Sequence, residues 1–208
     1  MFGLTECKRV AYMPPQFLDI KPDSVGRPIP NCDVYIIDEN GAEVERGQVG
    51  QLVIRGSNVM QGYWNSQEIT AKAYKKGRYP GESLLYSGDY FRQDNDGFLY
   101  FVGRIDDMIK CKGERVSPKE VENCICMAKN VSEAAVIGLP DPILGQAIKA
   151  YVVAKEGTVI DEKELLKFCM KNLENFAVPK FIEIIDRLPK TPNGKIDKKI
   201  LVQKSTDF

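Results

Sequence analysis

The sequence predicts an α+β fold in which a β-rich, barrel-like subdomain is followed by a small α+β domain. Short β-branched runs separated by glycine and proline turns fill the first half of the 208 residues, which is typical of small barrels and sandwiches. After about residue 105, helical and strand patterns alternate instead. We therefore predict one domain over residues 1–105 and a second over residues 106–208, each long enough to bury its own core.

Four strands and one short helix are predicted in the first half. Residues 33–38 and 49–55 are β-branched runs, of which the first precedes and the second follows the turn residues around Gly41. Residues 84–86 and 97–102 lie on either side of a second turn rich in Asp and Gly. Between these pairs, Asn65 is predicted to open a helix, because Glu68 three residues later completes a capping box.

The second half predicts helices and strands in alternation. Ser117 is a candidate N-cap with Pro118 at the first helical position, and Asp161 is the candidate N-cap of a second helix. Strands are predicted over residues 134–139, 147–154 and 180–186, and a terminal helix over residues 197–204. The 3.6-residue period predicts two buried helix faces, formed by Val121, Cys124, Ile125 and Ala128 and by Leu166, Cys169, Met170 and Leu173.

Composition excludes several function classes. The 29 Lys and Arg balance the 29 Asp and Glu, so no global field attracts nucleic acid or anionic lipid. The absence of histidine removes Ser-His and Cys-His catalysis and most mixed zinc sites. The six cysteines contain no C-x-x-C pair, and no apolar run approaches the roughly 20 residues that span a bilayer. We expect reduced thiols, no membrane span and a cytoplasmic location.

Two segments carry carboxylates in positions that suit a nucleotide. Glu6 follows Thr5 directly, and a carboxylate beside a hydroxyl can hold Mg²⁺ next to a phosphate oxygen. Asp89 follows a glycine turn, where a carboxylate can accept hydrogen bonds from ribose hydroxyls. The structural alternatives are a solvated glutamate and an aspartate that caps its own turn.

Two further segments are dense in charge and glycine. Residues 103–115 lie where the sequence pattern changes, so they are either a hinge with functional side chains or a solvated hairpin. Asn193-Gly194-Lys195 is a tight turn that ends in a cation suited to a phosphate or carboxylate. The alternative for this turn is a lysine-rich surface tail.

Taken in order along the chain, these segments resemble the motifs of the adenylate-forming enzymes, which include acyl-CoA synthetases, adenylation domains of peptide synthetases and luciferases. The resemblance covers nearly the whole chain. It rests on Gly3-Leu-Thr-Glu6, Gly50-x-Leu-x-Ile-x-Gly56 with Gly62-Tyr63, Tyr86-x-Gly-Asp89, Gly103-Arg-x-Asp106, Lys110-x-x-Gly113-x-Arg115 and Asn193-Gly-Lys195.

The resemblance implies roles in nucleotide binding for residues of the first half. Thr5 is similar to the family residue near the α-phosphate, and Glu6 to the Mg²⁺ ligand. Phe2 corresponds to a position beside the adenine. Asp89 resembles the residue that binds the ribose, and Arg104 its partner at the nucleotide.

For the second half, the resemblance implies a rotating domain that serves two half-reactions. Asp106 is similar to the family's hinge residue, and Lys195 to the lysine that bridges the carboxylate and the α-phosphate during adenylation. The loop that swings in for the second half-reaction carries Lys110, Lys112 and Gly113, which are similar to residues that line the thiol's approach. Arg115, on the same loop, is similar to a phosphate-facing position.

The implied function is an ATP-dependent acid–thiol ligase that forms acyl-AMP and passes the acyl group to coenzyme A, with ATP, Mg²⁺ and coenzyme A as its ligands. The family's phosphate loop and acid pocket are absent from these 208 residues. We therefore expect the N-terminal part to be missing, with an upstream domain as partner and a chain that is inactive alone. The alternatives are an adenylation domain that loads the phosphopantetheine of an acyl carrier protein and a non-catalytic interaction module.

Overall fold

The computed structural model describes residues 1–206, without the side chain of Thr206, and divides into two compact units. The first runs from Met1 to Asp106, and the second begins at Asp107. Each unit has its own sheet and its own buried core, so each is described by itself.

The first unit is built on a five-stranded antiparallel sheet. Strand β6 pairs with β4 along one side, while β5 and β7 share its other side, and β3 pairs with β4. A two-stranded sheet, β1 with β2, precedes it in the chain. The elements are β1 Ala11–Tyr12, β2 Arg27–Pro28, β3 Cys32–Ile37, β4 Val49–Gly56, α1 Gln67–Ala73, β5 Tyr74–Lys76, β6 Ser83–Gln93 and β7 Leu99–Arg104.

The small sheet is joined to the large one through the residues before β2. Gly26 forms a bridge with Leu99 of β7, and the amide of Val25 donates to the carbonyl oxygen of Leu99 at 2.9 Å. Residues of both sheets share one hydrophobic core. Its largest fully buried members are Leu52, Ile54, Leu85, Phe91 and Leu99.

The second unit is a mixed sheet with helices on both faces. Alternate residues of β10 belong to different cores: Val136 packs with α2 and α3, whereas Ile137 packs with Leu201 of α4. The strands run in the order β10-β11-β8-β9, and β12 pairs parallel to β11. The elements are β8 Ile109–Cys111, β9 Glu114–Val116, α2 Pro118–Met127, β10 Val131–Asp141, β11 Gly145–Ala154, α3 Glu162–Asn172, β12 Phe181–Ile184 and α4 Lys198–Thr206.

The two helix N-caps predicted in the second half are confirmed. The hydroxyl of Ser117 accepts a hydrogen bond from the amide of Glu120, and Asp161 Oδ1 accepts from the amides of Lys163 and Glu164 at 2.8 and 3.1 Å. Each cap pairs an amide of the first turn that has no partner within the helix.

Two local predictions are wrong. The first helix begins at Gln67 after Ser66, and Asn65 instead has a φ of 50° in the turn before it. Asparagine tolerates this left-handed conformation, so it serves the turn and not the cap. In α3 the buried face is rotated: Met170 is 59% exposed and Leu165 takes its place in the core, because Leu165 and Cys169 face α2 and the sheet together.

The described residues also bear on two compositional expectations. All six cysteines are free thiols, and five of them are buried. Within residues 1–206, none of the helices is both long enough and apolar enough to cross a membrane.

Candidate functional site

The segment that carries Glu6 is a narrow loop whose ends are tied together. The amide of Val10 donates to the Phe2 carbonyl oxygen at 2.9 Å, and that of Leu4 donates to Cys7 at 2.9 Å. A Cβ on Gly3 would lie 2.2 Å from the carbonyl oxygen of Lys8, so only glycine fits there. The loop therefore presents its tip, with an exposed Thr5 and a half-buried Glu6, in a fixed conformation.

Glu6 is held by one segment at both its backbone and its side chain. The amide of Met60 donates to the Glu6 carbonyl oxygen at 2.8 Å, and the Tyr63 hydroxyl donates to Glu6 Oε1. Tyr63 is fixed in turn, since its amide donates to Thr70 Oγ1 of α1 at 2.9 Å. A Cβ on Gly62 would meet Thr70 at 2.6 Å, which explains the glycine before the tyrosine.

Burial and the neighbouring carboxylate of Glu6 raise the pKa of Tyr63 to about 12. The phenol therefore stays protonated at neutral pH and acts as a permanent donor to Oε1. This arrangement leaves Oε2 for another partner. A single carboxylate suits Mg²⁺, which keeps several waters and is commonly completed by substrate phosphates. Residues 1–206 contain no cluster of three or more His, Cys, Asp or Glu side chains that could hold a metal ion.

Asp89 and Arg104 form an ion pair across β6 and β7. Arg104 Nη1 lies 3.0 Å from Asp89 Oδ1, and the side chain of Asp89 is 2% exposed whereas that of Arg104 is 46% exposed. Burial raises the pKa of Asp89 despite the opposing charge of Arg104. Gly88 in β6 has a φ of 73°, and a Cβ at this position would lie 3.3 Å from Arg104 Nη2.

These groups share one neighbourhood in the first unit. The charge of Glu6 contributes to the raised pKa of Asp89, and the charge of Arg104 acts in the lowering direction on the pKa of Tyr63. The Glu6–Tyr63 pair and the Asp89–Arg104 pair are therefore close enough to influence each other's charges. Such a set can accept bonds from hydroxyl groups at Asp89, pair with an anion at Arg104 and bind a hard cation at Glu6.

Two tyrosines of this neighbourhood were not singled out as site residues from the sequence. Tyr63 belongs to the Gly62-Tyr63 motif, whereas Tyr74 belongs to none of the motifs. Their rings meet edge to face with centroids 6.2 Å apart. Both line an open cleft of about 620 Å³ that also includes Trp64, which is 90% exposed. The pairing of Gly62 with Tyr63 was the available signal for Tyr63, and Tyr74 carried none.

Phe2 and Asp106 take different positions from this charged set. Phe2 packs edge to face on Phe91 with centroids 4.8 Å apart, so its ring is partly committed to the core. Asp106 is exposed in a short 3₁₀ turn and is the last residue of the first unit.

In the second unit, Lys195 lies at the end of a tight hairpin. The amide of Thr191 donates to the Lys195 carbonyl oxygen at 2.7 Å, and that of Gly194 donates to Thr191 at 2.8 Å, with a φ of 78° at Gly194. The side chain of Lys195 is exposed, and within the described part of the chain its ammonium has no ion-pair partner. The hairpin thus presents a free cation.

The β8–β9 hairpin carries the remaining candidate residues. Lys112 and Gly113 form its turn with φ values of 54° and 85°, as a tight antiparallel connection requires. Lys112 Nζ donates to the Asn175 carbonyl oxygen at 3.2 Å. Lys110 and Arg115 are directly opposite each other in the two strands, and both are exposed. A hairpin thus forms over the second part of residues 103–115, whereas Ile105–Asp107 form a short 3₁₀ turn.

Two family models match the chain. The model described as AMP-binding enzyme matches residues 1–64, and the model described as AMP-binding enzyme C-terminal domain matches residues 120–195. The first match contains the Glu6 loop and Tyr63, and the second ends at Lys195.

Curated relatives align with nearly all of the chain. It is similar to the long-chain-fatty-acid–CoA ligase of Yersinia pestis, with 40% identity over 195 residues that cover 94% of this chain and 34% of the relative. It is also similar to oxalate–CoA ligase of Arabidopsis thaliana, with 38% identity over 183 residues, 88% of this chain and 34% of the relative. The chain thus spans about a third of the length of these relatives.

Solved structures show the same similarity. The amide bond synthetase McbA from Marinactinospora thermotolerans matches with a TM-score of 0.89 and 32% identity, over 98% of this chain and 40% of that one. The o-succinylbenzoate CoA synthetase MenE from Bacillus subtilis, in complex with its acyl-adenylate intermediate, matches with a TM-score of 0.86 and 30% identity, over 96% of this chain and 40% of that one.

Proposed function

The chain belongs to the AMP-binding family of adenylate-forming enzymes, and on this premise we propose that it is the C-terminal portion of an ATP-dependent ligase that joins a carboxylic acid to coenzyme A. The observation that carries the proposal is the pairing of Tyr63 with Glu6 and of Arg104 with Asp89, two pairs that also influence each other's charges. These residues come from four separate sequence motifs and offer a carboxylate for Mg²⁺, a carboxylate for hydroxyl groups and a cation for a phosphate.

The first unit supplies the nucleotide's partners. Asp89 accepts hydrogen bonds from the ribose hydroxyls, and Arg104, which is paired with it at 3.0 Å, adds a cation at the nucleotide. Thr5 is exposed at the tip of its loop, and we assign it to the α-phosphate and Phe2 to the adenine. Mg²⁺ bound at Glu6 would neutralise part of the phosphate charge.

Lys195 acts in the first half-reaction. A carboxylate oxygen of the acid attacks the α-phosphorus of ATP, the bond to the β-phosphate breaks, and acyl-AMP and pyrophosphate form. Both reactants are anions, so an ammonium between them stabilises the charge that gathers at the phosphorus. The exposed, unpaired ammonium of Lys195 suits this role.

The β8–β9 hairpin acts in the second half-reaction. The thiol sulfur attacks the acyl carbon, AMP leaves, and the thiol proton is released to solvent. Lys110, Lys112 and Gly113 line the approach of the thiol and Arg115 faces a phosphate, while Asp106 is the hinge between the two half-reactions. Coenzyme A as the acceptor is supported by the relatives, which are named CoA ligases.

The phosphate loop and acid pocket of the family are not among these 208 residues. We therefore propose that the chain works with an upstream domain that supplies them and is inactive alone. Pyrophosphate exchange tests this point directly, since we expect no signal from the chain with any acid. A robust exchange signal from the chain alone would contradict the proposal.

The decisive experiment separates the half-reactions in a complete ligase that contains this chain. Lys195→Ala is expected to slow adenylation by about 100-fold or more, the scale of a lost electrostatic contact at a transition state. Thioester formation from preformed acyl-AMP is expected to be unchanged. Lys199→Ala is the matched control, because Lys199 is an exposed lysine of α4. Equal loss in both half-reactions would rule out the role given to Lys195.

A further inference from the structure

Glu122 is a carboxylate in the core of the second unit. It is on the inner face of α2, between the fully buried Val121 and Ile125, and is itself 8% exposed. A buried carboxylate is costly unless it is paired and hydrogen-bonded. Glu122 has both kinds of partner, since Oε1 accepts from the amide of Val136 in β10 at 3.0 Å and lies 2.7 Å from Lys198 Nζ.

Lys198 connects this buried carboxylate to the Lys195 hairpin. It is the first residue of α4 and follows Lys195 by three positions. The amide of Asp197 donates to the Pro189 carbonyl oxygen at 2.8 Å, which closes the hairpin one residue before Lys198. The ion pair therefore fixes the point at which the hairpin's second leg enters the helix.

The first leg has an ion pair of its own, but a more exposed one. Lys190 Nζ lies 3.1 Å from Glu133 Oε1 of β10, with side chains 48% and 42% exposed, against 30% and 10% for Lys198 and Glu122. Exposed pairs contribute little to stability, whereas breaking a buried pair is strongly destabilising. The two legs thus carry ion pairs of the same chemistry, of which the Glu122–Lys198 pair is the more buried.

We propose that Glu122 and Lys198 are a positioning pair, which holds the Lys195 hairpin against α2 and β10 so that the Lys195 ammonium is presented in a defined place for adenylation. This inference rests on the proposed role of Lys195. Because that side chain is exposed and long, its placement depends on the backbone that carries it. The pair acts through the hairpin and does not touch the reacting atoms.

Amide hydrogen exchange in the 208-residue chain tests the anchoring. The double variant Glu122→Gln/Lys198→Met removes both charges together, keeps an oxygen to accept from Val136 and leaves no lone buried ion. We expect the amides of Thr191, Gly194 and Asp197 to exchange about tenfold faster or more, because these amides close the hairpin. Exchange in the β10–β11 ladder is expected to change less than about threefold.

The exposed leg supplies the matched control. Glu133→Gln/Lys190→Met removes an equivalent pair from the same hairpin and is expected to leave both sets of amides near their original rates. The single variant Lys198→Arg retains the cation, so its hairpin amides are expected to stay protected from exchange as in the wild type. Unchanged hairpin amides in the Glu122/Lys198 double variant, or equal loosening in the control, would overturn the proposal.

Kinetics in a complete ligase distinguish positioning from mere stability. The double variant is expected to lower the rate constant of adenylation about tenfold with the KM for ATP unchanged, and to spare thioester formation from preformed acyl-AMP. A loosened hairpin with normal adenylation would contradict the positioning role. If Lys195→Ala also left adenylation intact, the proposed function of Lys195 would have failed as well, whereas the exchange data would still decide the anchoring.

Discussion

Asp89 and Arg104 are opposite each other because β7 contains one extra residue. Pairing is regular from the hairpin turn as far as Phe91 with Phe101, and it shifts by one between Tyr90 and Phe91. In an uninterrupted ladder Asp89 would face Gly103, and Arg104 would lie on the other face of the sheet. Bulges of this kind redirect side chains next to functional sites. Here the bulge creates a buried carboxylate with a partly exposed cation beside it.

The first prediction concerns the cost of burying Asp89. Its folded pKa is raised from the reference value of 3.8, mainly by burial. The protonated form is therefore favoured by folding, and stability is lost as pH rises from about 3.8 through the folded pKa. We expect Asp89→Asn to gain stability relative to the wild type between pH 3.5 and pH 7, and to lose AMP affinity.

Urea unfolding followed by amide resonances of β4 and β6, at both pH values, measures this effect. Arg104→Met is the complementary variant, because it leaves the buried carboxylate without its cation and is expected to lower stability at pH 7. A relative stability of Asp89→Asn that falls between pH 3.5 and pH 7 would show that the Arg104 contact outweighs the cost of burial.

The second prediction concerns the hydrogen bond from Tyr63 to Glu6. Tyr63→Phe is expected to lower the free energy of unfolding by about 1.5–3 kcal/mol at pH 7, the scale of a hydrogen bond to a charged acceptor. The pKa of Tyr63 is raised from 10 to about 12, so this contribution is fully present below pH 10 and lost as pH rises through 12.

Unfolding midpoints measured between pH 8 and pH 11 test the sign, since the difference between wild type and Tyr63→Phe has to shrink toward the alkaline end. Tyr12→Phe is the control, because Tyr12 is 49% exposed. In a complete ligase, Tyr63→Phe is expected to raise the Mg²⁺ concentration needed for adenylation. A variant with unchanged stability and Mg²⁺ dependence would mean that the Glu6 carboxylate holds its position without Tyr63.

The third prediction is a gain in stability, caused by removal of the hydroxyl of Tyr74. Among residues 1–206, the hydroxyl of Tyr74 is a buried side-chain oxygen without a hydrogen-bond partner. Such a group has lost its water without replacement, so Tyr74→Phe is expected to raise the free energy of unfolding by about 1 kcal/mol. Parallel urea titrations of Tyr63→Phe and Tyr74→Phe compare two deletions of the same atom type in adjacent rings. Destabilisation by Tyr74→Phe would instead indicate that the hydroxyl holds a bound water.

Local signals explain which parts of the fold could be predicted. Ser117 and Asp161 were recognised as N-caps because a cap depends on residues within one turn. The strand runs were recognised for the same reason. The predicted buried face of α3 contained Met170 where the structure has Leu165. The choice between neighbouring helical faces depends on what packs against α3, and the 3.6-residue period alone does not contain that information.

In the candidate site, too, local motifs could be recognised from the sequence and long-range contacts could not. Glu6, Asp89, Arg104 and Lys195 could be proposed from motifs, since each motif is a short stretch of sequence. The contacts that hold them join distant segments: Tyr63 reaches Glu6 across 57 positions, and Glu122 of α2 pairs with Lys198 of α4. No spacing rule connects such residues. The bulge that aligns Asp89 with Arg104 was equally invisible, because nothing in a run of β-branched and aromatic residues marks the extra one.

The last prediction concerns Asp141, at the β10–β11 turn. Its Oδ2 lies 2.6 Å from Lys180 Nζ, and Oδ1 accepts from the amides of Ile143 and Leu144 at 2.9 Å each. The Lys180 bond, followed by the two amides, lowers the pKa of Asp141 from 3.8 to about 2. Stability from this carboxylate is therefore complete above pH 3.8 and lost as pH falls through 2.

We expect Asp141→Asn to be less stable than the wild type at pH 7, and the difference to be clearly smaller at pH 2.5, as measured by urea midpoints. Asp186→Asn, which changes an exposed carboxylate, should show no such pH dependence. The Leu144 carbonyl oxygen accepts from the amide of Lys112 at 2.9 Å, so faster exchange at Lys112 should accompany the loss. If the loss of stability in Asp141→Asn were equally large at pH 2.5, the charge of Asp141 would contribute nothing. The loss would then arise from the geometry of the amide hydrogen bonds in the turn.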